Sequence, residues 1–216
     1  MQGTGRAILS TVPTNVGHEM TKVRAIRKED ALGFRSVLDA VSQERKFLAR
    51  FEAPPEDRVR AFVESNVDLG HPQFVAEENG TIVGWCDALP GTVSAGTAHI
   101  GHLGMGVLKS RRGKGIGRRL IEATIAGAKA VGLEKIELSV YASNKPAIAL
   151  YRRVGFREEG RRLRGRLVDG IYDDVFIMAL DIKVPNQSSD PAFASDTSRA
   201  TPETRNRQRG SHQRSA

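Results

Sequence analysis

The sequence predicts an α/β protein, one mixed sheet of about seven strands flanked by about four helices. Three observations carry this. Apolar runs of strand character alternate with runs at helical spacing along the middle of the chain. Asn79-Gly80 and Asp169-Gly170 each separate two strand-like runs as hairpin turns. The element order is a strand, two helices, three strands, then helix, strand, helix and a closing hairpin, which calls for parallel as well as antiparallel pairing.

The elements follow from local chemistry. Residues 23–26 are the first strand. Glu29 and Asp30 suit the first turn of a helix, and Ala31, Phe34, Val37, Leu38 and Val41 follow at helical spacing. Pro54-Pro55 breaks the chain. Val59, Phe62, Val63 and Val67 mark a second amphipathic helix, ended near Gly70. Residues 73–78 and 81–89 are the hairpin strands about Asn79-Gly80, and residues 90–96 a loop. Residues 98–107 form a longer strand carrying Gly101, Gly104 and Gly106, which predict a bulge or the close approach of another backbone. Ile116, Leu120, Ala123, Thr124 and Ala128 share one face of a helix that Gly132 closes. Residues 135–140 read as a buried strand, and residues 146–153 as a short helix with Pro146 in its first turn. Residues 157–167 and 171–180 make the last hairpin.

The domain is expected to span residues 21–183. Residues 1–20 lack apolar periodicity and are expected to form a disordered extension, with Met20 a candidate natural start. Residues 184–216 are rich in Ser, Thr, Arg, Asn and Gln and read as a disordered basic tail. With 39% hydrophobic and 27% charged residues the composition suits a soluble globular protein. No apolar run approaches the roughly 18–20 residues of a membrane helix, and none resembles a secretory signal. Cys86 is the only cysteine, so no internal disulfide forms. A cytoplasmic protein without a membrane partner is expected. The net charge of +8 favours anionic partners: nucleic acid, an acidic surface or a polyphosphate cofactor. Nucleic acid is the weaker reading. The tail's arginines are interleaved with Asp190, Asp196 and Glu203, and no zinc spacing or helix-turn-helix signal accompanies them.

Arg112-Gly113-Lys114-Gly115-Ile116-Gly117 follows a strand and opens a helix. Its glycines let backbone approach a ligand, and the free N–H groups of the helix's first turn favour an anion. Arg111, Arg118 and Arg119 add positive charge, and a diphosphate is the natural guest. A dinucleotide fingerprint fails because its last glycine would fall on Arg118; a P-loop fails because Gly113-Lys114 is followed by Gly115. A plain glycine turn with solvated arginines remains the alternative.

The segment also resembles the cofactor motif of the GNAT acetyltransferase superfamily, Arg/Gln-x-x-Gly-x-Gly/Ala, with Arg112, Gly115 and Gly117 in the fixed places. Lys109 stands where a proline is common. A second block is similar: Asn144, Ala147, Leu150, Tyr151, Gly155 and Phe156 match Asn-x-x-Ala-x-x-Leu-Tyr-x-x-x-Gly-Phe. The stretch from Asp169 to Met178 is similar to the amino-acid and phosphinothricin-type branch. The resemblance implies acetyl-CoA as acyl donor, no metal, and transfer of acetyl to a primary amine of a small molecule by direct attack in a ternary complex. Protein N-terminal or lysine acetylation, and acetyl-CoA sensing without catalysis, stay open, as does a homodimer.

It also implies a set of site residues. Main chain of Met105, Gly106 and Val107 would run beside the pantetheine arm, with Gly104 and Gly106 splaying the strand. Arg112, Gly113, Lys114, Gly115, Ile116 and Gly117 would hold the diphosphate, and Asn144, Ala147 and Tyr151 would line the cofactor. Tyr151 matches the general acid; its ordinary pKa of about 10 exceeds the 8.5 or so of a thiol, so it stays protonated at neutral pH. The base is open among His102, Glu77, His99, Glu44 and water. Glu44, near the end of the first helix, is the candidate for the acceptor's ammonium.

Overall fold

A computed structural model describes residues 21–91 and 95–183. The predicted terminal segments, Met20 and the nucleic-acid reading of the tail lie outside these residues. The chain runs β1 (Lys22–Ala25), α1 (Ala31–Gln43), α2 (Glu56–Asp68), β2 (Gln73–Glu78), β3 (Thr81–Pro90), β4 (Ile100–Val107), α3 (Ile116–Ala130), β5 (Lys135–Tyr141), α4 (Lys145–Val154), β6 (Arg157–Val168) and β7 (Ile171–Asp181). The strands form one seven-stranded sheet in the order β1-β2-β3-β4-β5-β7-β6. Every neighbouring pair is antiparallel except β4 and β5.

That exception shapes the molecule. β4 and β5 pair only from Ile100↔Lys135 to His102↔Glu137, and the ladder stops there. β3 keeps its hold on β4 along the whole strand, from Pro90↔Gly101 to Gly84↔Val107. The sheet is therefore open between β4 and β5 from Leu103 onward.

Each face of the sheet has its own core. On one face Leu120, Ile121 and Ala128 of α3 and Ile148 of α4 pack with Ile136, Leu138 and Met178. On the other, Phe34, Val37 and Val41 of α1 and Val59 and Val63 of α2 cover Val75, Ile82 and Trp85. Trp85 meets Phe34 edge-on at 5.6 Å between ring centroids. Full burial of one such apolar side chain contributes about 1.5–3 kcal/mol, so these two helical stripes hold their helices to the sheet.

The predicted bulge in β4 does not occur, since the β3–β4 register is unbroken. The irregularity lies in β2, between Ala76 and Glu77. Gly104 and Gly106 make room for side chains of β3 instead, and Gly101 for Leu133. A Cβ on Gly106 would stand 2.3 Å from the Trp85 ring, and one on Gly104 would stand 2.9 Å from an Asp87 carboxyl oxygen. The strand also starts later than predicted. Residues 95–97 form a 3₁₀ turn, and His99 precedes β4.

Candidate active site

Two hydrogen bonds set the phase of β4. The Gly91 N–H donates to the Ile100 carbonyl at 3.3 Å, and the Leu108 N–H donates to the Val83 carbonyl at 2.9 Å. Even-numbered residues of β4 thus turn their main chain toward β3, and Leu103, Met105 and Val107 turn theirs toward β5. Because β5 has parted by then, this is an open strand edge, able to take an extended ligand as an added strand. The Val107 carbonyl also accepts from Arg112 Nε at 2.9 Å.

At the end of this edge the chain enters α3. Gly113 and Gly115 have φ of 76° and 79°, the left-handed region that other residues avoid. Nothing lies within 4 Å of where their Cβ atoms would be, so the cradle is open to a ligand. With α3 beginning at Ile116, its unpaired N–H groups add a partial positive charge there. Gly117 plays another part. Its Cβ would meet Leu150 of α4 at 3.2 Å and Met105 of β4 at 3.4 Å, so it lets three elements close on each other.

The loop's arginines are mostly engaged. Arg111 donates to Glu78 at 2.5 Å, Arg118 to Glu122 at 2.8 Å and Arg119 to the Thr21 carbonyl at 2.6 Å. Arg112 is held in a bidentate pair by Glu44, with one contact at 2.8 Å, and its guanidinium lies 4.7 Å from the Phe47 ring centroid. Glu44, expected to meet the acceptor's ammonium, thus ties the end of α1 to the loop, and with Ala40 and Leu108 it also lines an open depression of about 680 Å³. Main-chain N–H groups and Lys114, which forms no ion pair among the described residues, are left to meet an anion.

Glu77, a candidate base, lies on β2, two strands from β4, and accepts from Arg24 at 2.7 Å. Arg24 also grips Asp30, so this cluster fixes β1 and the start of α1.

Asn144 caps α4, its Oδ1 accepting the Ala147 N–H at 3.3 Å. Tyr151, one turn further on, is buried, with its ring centroid 5.7 Å from that of Phe156. Burial raises its phenol above the ordinary value. Its hydroxyl makes no hydrogen bond among the described residues, so its proton is available to a ligand.

The other face of the opening carries different chemistry. His102, Glu137 and Ser139 share the α1–α2 face of the sheet by strand alternation. With Arg162 of β6 and Ile177 of β7 they line an open depression of about 520 Å³. Arg162 donates to Ser139 Oγ at 3.3 Å, and Lys135 pairs with Glu137 at 3.0 Å. No cluster of three metal-ligating side chains occurs among the described residues.

One group went unread in the sequence. Asp87 sits in the middle of β3, 7% exposed, on the same face as Trp85 and directly opposite Gly104. It has no cationic partner among the described residues. Burial raises its carboxyl to about 7, with the Gly104 N–H opposing the rise. The only signal in the sequence was an acid inside the apolar run Trp85-Cys86-Asp87-Ala88-Leu89, which strand alternation alone does not distinguish from a solvent-facing position.

Comparison with known proteins agrees with this geometry. The Acetyltransferase (GNAT) family matches residues 38–156. The chain belongs to the GNAT acetyltransferase family. It is an N-acetyltransferase with acetyl-CoA as its acyl donor, and the open β4 edge with the glycine cradle fits that donor. The chain is similar to an N-alpha-acetyltransferase of Sulfurisphaera tokodaii, 35% identical over 130 residues, covering 55% of this chain and 74% of that protein. It is also similar to an L-methionine sulfoximine/L-methionine sulfone acetyltransferase of Salmonella typhimurium, 25% identical over 126 residues, covering 58% of this chain and 74% of the other. The crystal structure of a GNAT acetyltransferase from Streptococcus pneumoniae superposes with a TM-score of 0.71 and 26% identity, covering 75% of this chain and 99% of that one. Among the described residues no helix is long and apolar enough to cross a membrane.

Proposed function

We propose that this GNAT enzyme acetylates the primary amine of a small molecule of amino-acid type, with donor and acceptor bound together. The observation that carries this reading is the depression beside His102, where Arg162 and Glu137 set a cation and an anion about a volume of about 520 Å³. Sites for small metabolites commonly measure about 300–1,000 Å³ and carry a few placed polar groups. Arg162, whose only hydrogen-bond partner among the described residues is a serine hydroxyl, is suited to an acceptor's carboxylate. The donor lies along β4, with main chain of Leu103, Met105 and Val107 beside its arm and its diphosphate at Gly113 to Ile116. Tyr151 gives the departing thiolate its proton, and the α4 N-terminus at Asn144 and Ala147 borders the donor.

A second reading has its own support. The similarity to an N-alpha-acetyltransferase favours a peptide N-terminus as acceptor. So does the bridge from the α1–α2 segment to the β6–β7 hairpin, where Arg45 pairs with Asp169 at 2.7 Å and Arg166 donates to the Arg45 carbonyl. Thiol release measured with L-methionine sulfone, other L-amino acids and their tetrapeptide counterparts separates the two. Faster turnover of the free amino acids is expected; turnover of the peptides alone would overturn the small-molecule reading.

A further inference from the structure

We propose that Asp87 takes the proton from the acceptor's ammonium, and that the buried amide of Gln73, its cross-strand neighbour, favours the carboxyl's charged form. The inference rests on the N-acetyltransferase reading and adds the base that the sequence left open. An amine attacks only through a free lone pair, so the ammonium form must first lose a proton inside the site.

Position is the first argument. An Asp87 carboxyl oxygen lies over Gly104, where even a Cβ would come to 2.9 Å. Gly104 stands between Leu103 and Met105, whose main chains line the open edge. His102, the other candidate, sits where β4 and β5 are still paired. Asp87 thus borders the stretch where the thioester has room, on the face that carries the acceptor depression.

The surroundings are the second argument. Gln73 of β2 is the cross-strand partner of Asp87, so both side chains leave the same face of the sheet. Gln73 is fully buried; its Oε1 accepts from Asn66 Nδ2 at 3.0 Å, and its Nε2 has no partner among the described residues. A buried donor left without an acceptor is costly and rare. Here it stands beside a carboxyl that must become charged in each cycle, and a donor suits that form. Asn66 is fixed in turn by His71 at 3.2 Å. The ionisable groups lining the depression on this face are His102 of β4, Glu137 of β5, which pairs with Lys135, and Arg162 of β6, while Arg24 of β1, on the same face, is taken up by Asp30 and Glu77. From α1 and α2 come Phe34, Val37, Val63 and Asn66, none of them ionisable. Among the described residues no cation pairs with Asp87, and burial sets its affinity for a proton.

The step balances. An ammonium N–H bond breaks and its proton goes to an Asp87 carboxylate oxygen. The nitrogen lone pair forms the bond to the thioester carbonyl carbon, the C–S bond breaks, and the thiolate takes a proton from Tyr151. The nitrogen, which now carries two protons, gives one to restore Tyr151 and keeps the other as the amide N–H, and Asp87 loses its proton to solvent, for a net release of one proton per acetyl transferred.

The test compares wild type, Asp87→Asn and Gln73→Leu, using L-methionine sulfone and a tetrapeptide with a free N-terminal serine. Acetyl-CoA affinity should stay within about twofold in both variants, which also reports that they fold. At pH 7 Asp87→Asn should lower kcat/KM by about 100-fold or more. The wild-type profile of kcat/KM should break near pH 7, that break should vanish in Asp87→Asn, and in Gln73→Leu it should move to higher pH. In the free protein, carbon-13 NMR should show the Asp87 carboxyl titrating near pH 7, a readout that needs no acceptor. Wild-type turnover with an unchanged profile in Asp87→Asn, or titration below pH 5, would overturn the proposal. Failure of wild type to bind acetyl-CoA would instead defeat the underlying reading.

Discussion

The two sides of the β4 strand are built by different means. The proposed donor side is main chain: an open strand edge from Leu103 to Val107, two left-handed glycines and a helix N-terminus, all within fifteen residues of sequence. The proposed acceptor side is side chains: His102 from β4, Glu137 and Ser139 from β5 and Arg162 from β6 line the depression, with Asp87 of β3 on the same face. A main-chain site needs a local pattern of glycines at fixed spacing, whereas a side-chain site needs only that distant strands meet. The first kind suits a donor that stays the same, and the second can change acceptor without disturbing the donor's seat.

Substitutions on each side should therefore fail differently. The largest effect is expected at Gly115, where φ is 79° and the space beyond is open. Gly115→Val would strain the loop and crowd the diphosphate, raising the acetyl-CoA Kd by about 100-fold in calorimetry, with the acceptor KM little changed. Tyr151→Phe should lower kcat at least about tenfold with near-normal acetyl-CoA affinity, as stopped assays of product would show. On the acceptor side, Arg162→Met should raise KM about fivefold for amino acids over their amides and leave acetyl-CoA binding untouched. A change of equal size for acid and amide would remove the carboxylate from Arg162.

Asp87 also ties the acceptor face to stability. Its carboxyl is raised from 3.8 to about 7 in the folded chain, so the native state keeps a proton that the unfolded chain gives up across that window. Its contribution is fully present below about pH 4 and is lost as pH rises through about 7. The melting temperature of Asp87→Asn relative to wild type should thus climb by several degrees between pH 4 and pH 8. The smallest effect is expected at Glu44. Glu44→Gln keeps hydrogen bonding to Arg112 but removes the charge, and a partly exposed pair of this kind contributes about 1 kcal/mol or less. A change of about threefold or less in acetyl-CoA Kd is predicted.

The same contrast explains what could be read in advance. Asn79-Gly80 and Asp169-Gly170 announced their hairpins because both turns need positive φ at each central residue, as found at 50° and 78° and at 50° and 76°. The helices followed from apolar spacing, and the donor loop from its glycines. The parting of β4 from β5 was not legible, because pairing is settled by the packing of whole strands. Gly104 and Gly106 were legible as places of close approach, but not as room for Asp87 and Trp85, since the β3–β4 register lies outside any local pattern. Glu44 and Glu77 looked like free acids for the same reason. Nothing local indicated that Arg112 and Arg24 would claim them across 68 and 53 positions of chain.

The central claim is that the β4 edge and the Gly113–Gly115 cradle seat acetyl-CoA through main chain. Titration calorimetry of the wild type and Gly115→Val with acetyl-CoA tests it most directly. The wild type should bind one molecule per chain with Kd in the range of about 1 μM to 1 mM, and the variant about 100-fold more weakly. Equal binding by the two proteins, or no heat from the wild type at high micromolar acetyl-CoA, would contradict it.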